Sequence, residues 1–291
     1  RRDMSKKVWA GVGLGGASAL LLGGQAVTPH VAAKEVDKAI AEFSDVADIE
    51  YRKVNFSLLQ QNTTVKDVVI KPISQDKPIT VDEMVLYDYK ESNDVPTHIK
   101  LAVNGISVDS SMLVENAEIF SELGYEGELA ANFATEYSYQ EDERTLTLKQ
   151  LSLGADDVGE VNMSFHFSNA SLDENAIAAL PYSLLSMEFH TAQLTYEDKS
   201  FVKRLFETTA AAEGISLEDA KAAAIEGLQQ EITSSGNTSS DEFIQEITNF
   251  VNNPDSFSIT LNPENPVPLT SLAGVGGAED IIELLNVKFE S

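Results

Sequence analysis

The sequence predicts an α+β protein: an N-terminal membrane helix, then a curved antiparallel β-sheet with a helical segment and a short C-terminal strand. Three observations predict this fold class. An uncharged apolar run lies near the N-terminus, short segments of alternating apolar and polar residues recur between turn-forming breaks, and residues 198–252 follow a helical period. With 43% apolar and 23% charged residues, the composition is that of a globular protein.

These patterns divide the chain into three regions. We predict a cytoplasmic stub and signal-anchor helix over residues 1–33, and a β-rich periplasmic domain over residues 34–198. Residues 199–291 are predicted to form a helical segment with C-terminal strands, packed on the same domain. A chain of 291 residues is long enough for one substantial core with a smaller helical region beside it.

The N-terminal apolar run extends from Val8 to about Val27, and no charged residue occurs between Lys7 and Lys34. Twenty helical residues span about 30 Å, the thickness of the hydrocarbon core of a bilayer. Four basic residues precede the run and keep the N-terminus cytoplasmic, so the body is predicted to face the periplasm from a single-pass anchor in a bacterial inner membrane. The alternative is a signal peptide cleaved near Ala33, which would secrete the body into the periplasm.

Glycines inside this run match the pattern G-x-G-x-x-G at Gly11, Gly13 and Gly16. A dinucleotide site also needs a buried strand before the first glycine, and only three residues separate Lys7 from Gly11. We therefore predict no nucleotide and no other cofactor. Gly11 and Gly15 instead form a small-residue face on the membrane helix, which suits pairing with another copy or with another membrane protein.

Residues 45–106 are predicted to form short antiparallel strands with hairpin-length connections. In one of them, Ile99, Leu101 and Val103 share a face. A helix is then predicted from residue 108, capped by Asp109 or Ser110 and ended by Gly124.

The clearest strands follow in "ELAANFATEYSYQ", "TLTLKQLSL" and "EVNMSFHFS", which we interpret as an antiparallel meander with one aromatic-rich face. Two interpretations of that face stay open: a core packed against helices, or a groove that holds lipid. The candidate lipid-contact residues are Phe133, Tyr137, Leu146, Leu148, Met163, Phe165 and Phe167.

The C-terminal third is predicted to be mainly helical. A short helix over residues 173–180 and a further strand precede three helical pieces, one of which begins with a capping box from Ser216 to Asp219. The chain then ends with a strand, a proline-rich run, a short helix at "AEDIIELL" and a last strand at "NVKFES".

Several function classes are excluded or disfavoured by composition. The chain has no cysteine, which removes thiol catalysis and cysteine-ligated metals, and its net charge of −27 disfavours nucleic acid as a partner. His166 and His190 lie on the polar sides of predicted strands, and no metal-ligand spacing or nucleophile motif accompanies them. We therefore predict no catalytic residue and no metal site, and a protein that is not an enzyme.

One segment resembles a known family. The basic stub, the anchor, a short amphipathic helix and then "IEYRKVNFSLLQQNTTVKDVVIKP", a Tyr-containing strand, a Leu-Leu turn and a Val-rich strand, are similar to the opening of bacterial AsmA-like and YdgA-like envelope proteins. The resemblance covers mainly residues 5–72. It implies an inner-membrane anchor and a curved antiparallel sheet whose apolar concave side holds or conducts lipid acyl chains, and it supplies no catalytic residue.

The expected function is therefore that of a non-enzymatic envelope protein that binds membrane lipid or supports outer-envelope assembly. A structural or scaffolding subunit of a membrane complex is the alternative. A periplasmic hydrolase is a more remote one.

Overall fold

The computed structural model describes residues 29–73, 77–92, 95–109, 117–172, 184–234, 241–272 and 274–291. These residues form an α+β fold of antiparallel strands and helices, as predicted. The chain separates into two compact units, one ending at Tyr137 and the other beginning at Ser138, with Ser121–Gly124 belonging to the second. The sequence-based division at residue 198 marks the change from strands to helices, whereas these units divide within a strand.

The first unit consists of one helix followed by consecutive antiparallel strands. Its strand order follows the chain from β1 to β5, so each strand pairs with its sequence neighbour. Its elements are α1 (Pro29–Glu42), β1 (Ala47–Ser57), β2 (Asn62–Pro72), β3 (Ile79–Ser92), β4 (Val95–Asp109) and the part of β5 (Glu128–Gln140) that precedes residue 138.

The core of the first unit lies between α1 and the sheet. Val36 of α1 is buried against strand residues that include Val65, Val68 and Met84, each of which is at most 1% exposed. The predicted face of Ile99, Leu101 and Val103 is confirmed, because all three are buried in this cluster. Alternation along the strands turns one set of side chains inward, and α1 covers that set.

The helix predicted from residue 108 is described from Ala117 onward, and the alternative cap Ser110 lies outside the described residues. Strand β4 continues to Asp109, so Asp109 ends a strand and does not cap a helix. The described helix is α2 (Ala117–Glu122), and Gly124, with φ of 78°, follows its end as predicted. Apolar and polar residues keep alternating after Ile106, so β4 extends three residues beyond the predicted end.

The second unit also contains antiparallel strands, in the order β6-β7-β8-β9-β11, with β10 paired to β8. Its strands are β6 (Thr145–Ala155), β7 (Gly159–Ser168), β8 (Glu188–Asp198), β9 (Ser256–Leu261), β10 (Val267–Pro268) and β11 (Val287–Glu290). Its helices are α3 (Phe201–Glu213), α4 (Leu217–Ser234), α5 (Asp241–Asn252), α6 (Leu269–Leu272) and α7 (Ala278–Leu285).

Capping residues mark the start of α4 and the end of α3. The Ser216 hydroxyl donates to the Asp219 carboxylate (2.6 Å) and accepts from the Asp219 N–H (3.1 Å), so Ser216 caps α4 and pairs with Asp219 as predicted. Gly214, in the left-handed conformation with φ of 67°, ends α3. The short helix and last strand at the C-terminus appear as α7 and β11, while the predicted helix over residues 173–180 lies outside the described residues.

None of the helices in the described ranges combines the length and apolarity needed to cross a membrane. The predicted anchor, residues 8–27, lies outside those ranges, together with Gly11 and Gly15.

Candidate functional site

One face of the second-unit sheet is apolar across neighbouring strands. Met163 of β7 lies opposite Leu151 of β6 and opposite Leu194 of β8. The next row on the same face pairs Leu153 with Val161. Directly opposed side chains in antiparallel strands are about 5 Å apart, so these five side chains form a continuous surface. We call this set the apolar strip.

Most of the apolar strip is open to solvent. Leu153 is 58% exposed, Val161 39%, Met163 37% and Leu194 38%, while Leu151 is half-buried. Single exposed hydrophobic residues are common on soluble proteins, but a contiguous group of large ones usually marks a surface that contacts a ligand or a partner. The apolar strip is therefore the candidate site.

Helix α5 covers the same face beside the apolar strip. The Phe250 ring lies 6.0 Å from the Tyr196 ring and 5.8 Å from the Phe257 ring, between centroids. Further along α5, the Phe243 ring lies 4.8 Å from that of Phe289. These contacts cover the face at Tyr196 of β8, Phe257 of β9 and Phe289 of β11, whereas among the described residues the side chains of the apolar strip remain largely exposed.

The C-terminal elements cover the other end of the face. Phe189 of β8 is buried with Val267 and Leu285. The ring of Phe167 packs on that of Phe189 (5.6 Å) and on that of Phe165 (5.3 Å), both edge-on. The apolar strip thus lies between two aromatic clusters, whose buried members are Phe250 and Phe189.

A bulge in β6 produces part of the apolar strip. Leu148 pairs with Phe165 and Leu151 pairs with Met163, so three residue steps on β6 match two on β7. Two residues, Lys149 and Gln150, lie between these leucines, one more than on β7. The additional residue returns Leu151 to the face that Leu148 occupies. The sequence carries this signal, since the apolar positions in "TLTLKQLSL" change phase at "KQ".

The predicted lipid-contact residues are divided between the two units. Phe133 and Tyr137 pack against the core of the first unit, and the other five belong to the second. Leu148 is buried, whereas Leu146, Phe165 and Phe167 are half-buried, so of the seven only Met163 belongs to the exposed strip. Leu151, Leu153, Val161 and Leu194 were not among the candidates, although alternation along "HTAQLTYED" places Leu194 on the apolar side.

The Tyr137 side chain makes a hydrogen bond within the first unit, and its burial changes its pKa. Its hydroxyl donates to the Pro96 carbonyl (2.9 Å), and burial raises the pKa of the phenol to about 12. Tyr137 is thus a structural residue of the first unit.

The opposite face of the second-unit sheet is polar and internally bonded. The Glu160 carboxylate accepts from Ser152 Oγ (2.7 Å) and Asn162 Nδ2 (3.1 Å), and these hydrogen bonds, that of Ser152 foremost, lower the pKa of Glu160. A cavity of about 260 Å³ on this sheet is lined by Lys149, Gln150, Asn162, Met163, Ser164, Gln193 and Thr195. The lining consists of amides, hydroxyls, one lysine and the Met163 thioether of the apolar strip, so it offers no acid–base pair.

A serine, a histidine and a carboxylate meet on β7 and β8. His190 Nε2 lies 2.8 Å from Ser168 Oγ, which donates to Glu188 (3.2 Å). In a nucleophile triad the carboxylate binds the far nitrogen of the histidine and orients the ring. Here the Glu188 carboxylate accepts directly from the serine. The contacts therefore connect β7 with β8 and do not form a nucleophile triad.

The two strand histidines also contact each other. The His166 and His190 rings are 4.7 Å apart, and Thr147 Oγ1 lies 2.8 Å from His166 Nδ1. Burial, and secondarily the neighbouring His190, lower the pKa of His166. Within the described ranges, no three His, Asp or Glu side chains converge as a metal site would require.

A second cavity of about 530 Å³ borders the proline-rich turn over residues 263–268. It is lined also by Ser271, Glu283, Leu284 and Asn286. Its lining combines apolar, amide, hydroxyl and carboxylate side chains and includes no histidine.

Comparison with known proteins gives one match. A family model described as "Uncharacterized protein" matches residues 152–291, a range that contains four of the five residues of the apolar strip. No curated protein matches the chain.

Proposed function

We propose that the protein is a non-enzymatic, membrane-anchored envelope protein that faces the periplasm and binds lipid acyl chains on the apolar strip. The observation that carries the proposal is the exposure of Leu153, Val161, Met163 and Leu194 as neighbours on paired strands.

The position of the apolar strip favours an acyl chain over a peptide. Strand β7 is paired on both sides, with β6 and with β8, so its backbone groups are already bonded. An added peptide strand has no free edge to bind there. The five side chains offer only apolar contact, and an acyl chain needs nothing else, since each buried CH₂ group is worth about 0.8 kcal/mol.

The anchor and the envelope location are supported by the sequence. The uncharged run of residues 8–27 behind four basic residues is typical of a signal anchor. The resemblance of residues 5–72 to AsmA-like and YdgA-like proteins supports the same location and a curved sheet with a lipid-holding concave side. The strands of that segment, β1 and β2, pair as an antiparallel hairpin.

The alternative function is a scaffolding subunit of a membrane complex. One observation favours it: Ile281 and Leu284 of α7 are 39% and 36% exposed and lie one helical turn apart. A partner helix would bury such a pair. This alternative predicts a fixed protein partner after gentle detergent extraction, and no bound lipid.

Two neighbouring residues of β8 provide a matched test of lipid binding. Leu194 and Gln193 are both exposed and lie on opposite faces of the strand. The full chain is purified in detergent, mixed with phosphatidylethanolamine and phosphatidylglycerol, repurified and extracted with organic solvent for lipid quantification. We expect Leu194→Glu to lose most of the bound lipid, because a carboxylate on the strip opposes burial of an acyl chain.

Gln193→Glu is the control, since it places the same carboxylate on the polar face. It is expected to retain the wild-type amount of lipid. Equal lipid in both variants, or no lipid in the wild type, would contradict the proposal.

A further inference from the structure

The turn between β1 and β2, residues 57–62, carries two leucines that no described residue of the unit covers. Leu58 is 72% exposed and Leu59 is 99% exposed. Turns of hairpins usually present glycine, asparagine, aspartate or serine to water. We call residues 57–62 the hairpin tip.

The hairpin tip also lacks charge. Residues 54–65 contain no charged side chain, although 23% of the chain is charged and its net charge is −27. The two leucines are followed by Gln60 and Gln61, which are neutral and exposed. An apolar pair bordered by neutral polar groups fits the boundary between acyl chains and head groups, where carboxylates would be repelled by anionic lipid.

Helix α1 runs antiparallel to β1. The Ala47 N–H donates to the Phe43 carbonyl (3.0 Å), and the Tyr51 hydroxyl donates to the Asp37 carboxylate (2.6 Å). Earlier residues of α1 therefore lie beside later residues of β1. Pro29 precedes Asp37 by eight residues, about 12 Å along the helix, in the direction of the hairpin tip.

The chain that precedes the described structure consequently joins it on the side of the hairpin tip. Residues 1–28 connect to α1 at Pro29, and they contain the uncharged run of residues 8–27. The opposite end of the hairpin is marked by Ile73, whose N–H donates to the Val46 carbonyl (3.0 Å). Ile73 is 67% exposed, so it provides an apolar control at the far end.

We propose that Leu58 and Leu59 insert into the surface of the bilayer that holds the anchor. This inference rests on the proposed anchor and goes beyond the lipid strip. The anchor and the hairpin tip then provide two contacts with the same membrane, and two contacts fix the orientation of the first unit relative to the bilayer in a way that a single tether does not. The hairpin tip thus binds the interfacial region of the lipid bilayer.

The absence of cysteine allows single-site labelling. The full chain carrying Leu59→Cys or Ile73→Cys is labelled with an environment-sensitive fluorophore and reconstituted into vesicles of phosphatidylcholine and phosphatidylglycerol. Nitroxide groups on shallow lipid positions quench fluorophores at the interface. We expect a blue shift and strong quenching for the label at position 59, and neither for the label at position 73. Circular dichroism confirms that both variants fold.

Two results overturn the proposal. If the label at position 59 stays as water-exposed as that at position 73 in vesicles that contain the protein, the hairpin tip does not reach the bilayer. If the protein does not float with vesicles at all, the anchor is contradicted together with the tip. Neither result alters the lipid extraction test of Leu194→Glu, which reads the apolar strip directly, so failure of the two proposals is distinguishable.

Discussion

The two units cover their sheets to different extents. In the first, α1 lies on the sheet and side chains such as Val65 and Met84 are almost completely buried. In the second, helices and the C-terminal segment cover the two ends of the apolar face, and the apolar strip between them stays open. The same alternating sequence pattern thus produces a closed core in one unit and a partly open face in the other, and the covering elements decide which.

The largest expected difference between the units comes from two methionines. Met84 is 1% exposed in the first unit and Met163 is 37% exposed on the apolar strip. Met84→Ala should lower the free energy of unfolding by about 2–5 kcal/mol, because it leaves a cavity. Met163→Ala should lower it by no more than about 0.5 kcal/mol, as is usual for surface positions.

Urea unfolding with hydrogen exchange read separately for peptides of each unit measures both changes. Similar losses for the two methionines would mean that the strip belongs to a closed core, and the contrast between the units would then disappear.

The next effect concerns the cover of the second unit. Phe250 of α5 packs on Tyr196 and Phe257. Phe250→Ala should destabilise this unit by about 3 kcal/mol and reduce hydrogen-exchange protection in β8 and β9, because the cover loses its main contact. Asn249→Ala, at an exposed position of the same helix, is the control and should stay within about 0.5 kcal/mol of the wild type. Unchanged protection in Phe250→Ala would show that α5 does not cover the face.

A smaller effect, measured at alkaline pH, tests whether Tyr137 of the first unit is buried. The pKa of Tyr137 is raised by burial to about 12, so the folded state favours the neutral phenol. This contribution to stability is fully present below the unfolded pKa of about 10 and is lost as pH rises through the folded pKa. Tyr137→Phe removes the hydrogen bond to Pro96, at a cost of about 1 kcal/mol, and should weaken the alkaline loss. Spectrophotometric titration of the phenols provides the measurement, and a phenol that ionises near 10 at this position would contradict the burial.

The smallest effect lies in the second unit at acidic pH. Burial, followed by the neighbouring His190, lowers the pKa of His166, so the unfolded state binds the proton more readily. The associated stability is present above the unfolded pKa of about 6.5 and declines as pH falls below it. His166→Gln should flatten that decline without affecting the first unit. NMR titration of the imidazole protons checks the direction, and a raised pKa for His166 would refute it.

Much of the secondary structure was predictable from local pattern. Alternation identified the strands that contain Ile99 and Met163, and the pair Ser216 and Asp219 identified the start of α4, because these signals depend on residues close in sequence. The exposed site was harder to predict. Alternation defines which residues share a face, but it does not reveal where helices from elsewhere in the chain will cover that face.

Individual residues illustrate this limit. Phe165 and Phe167 have the same alternation as Met163, yet the aromatic cluster around Phe189 shields them. Leu151 was not predicted as a lipid contact because the bulge shifts the alternation of β6 by one residue. A strict period of two does not continue through the bulge. Tyr137 shares a strand pattern with the meander but belongs to the first unit.

The most direct test of the central proposal is photocrosslinking with a phospholipid that carries a diazirine in its acyl chain. After irradiation of the full chain in detergent micelles containing this lipid, digestion and mass spectrometry locate the adducts. The proposal predicts adducts on the apolar strip, at Leu153, Val161, Met163 or Leu194, and their loss in Leu194→Glu. Adducts that are absent from the strip, or equally frequent at Gln193 on the polar face, would contradict it.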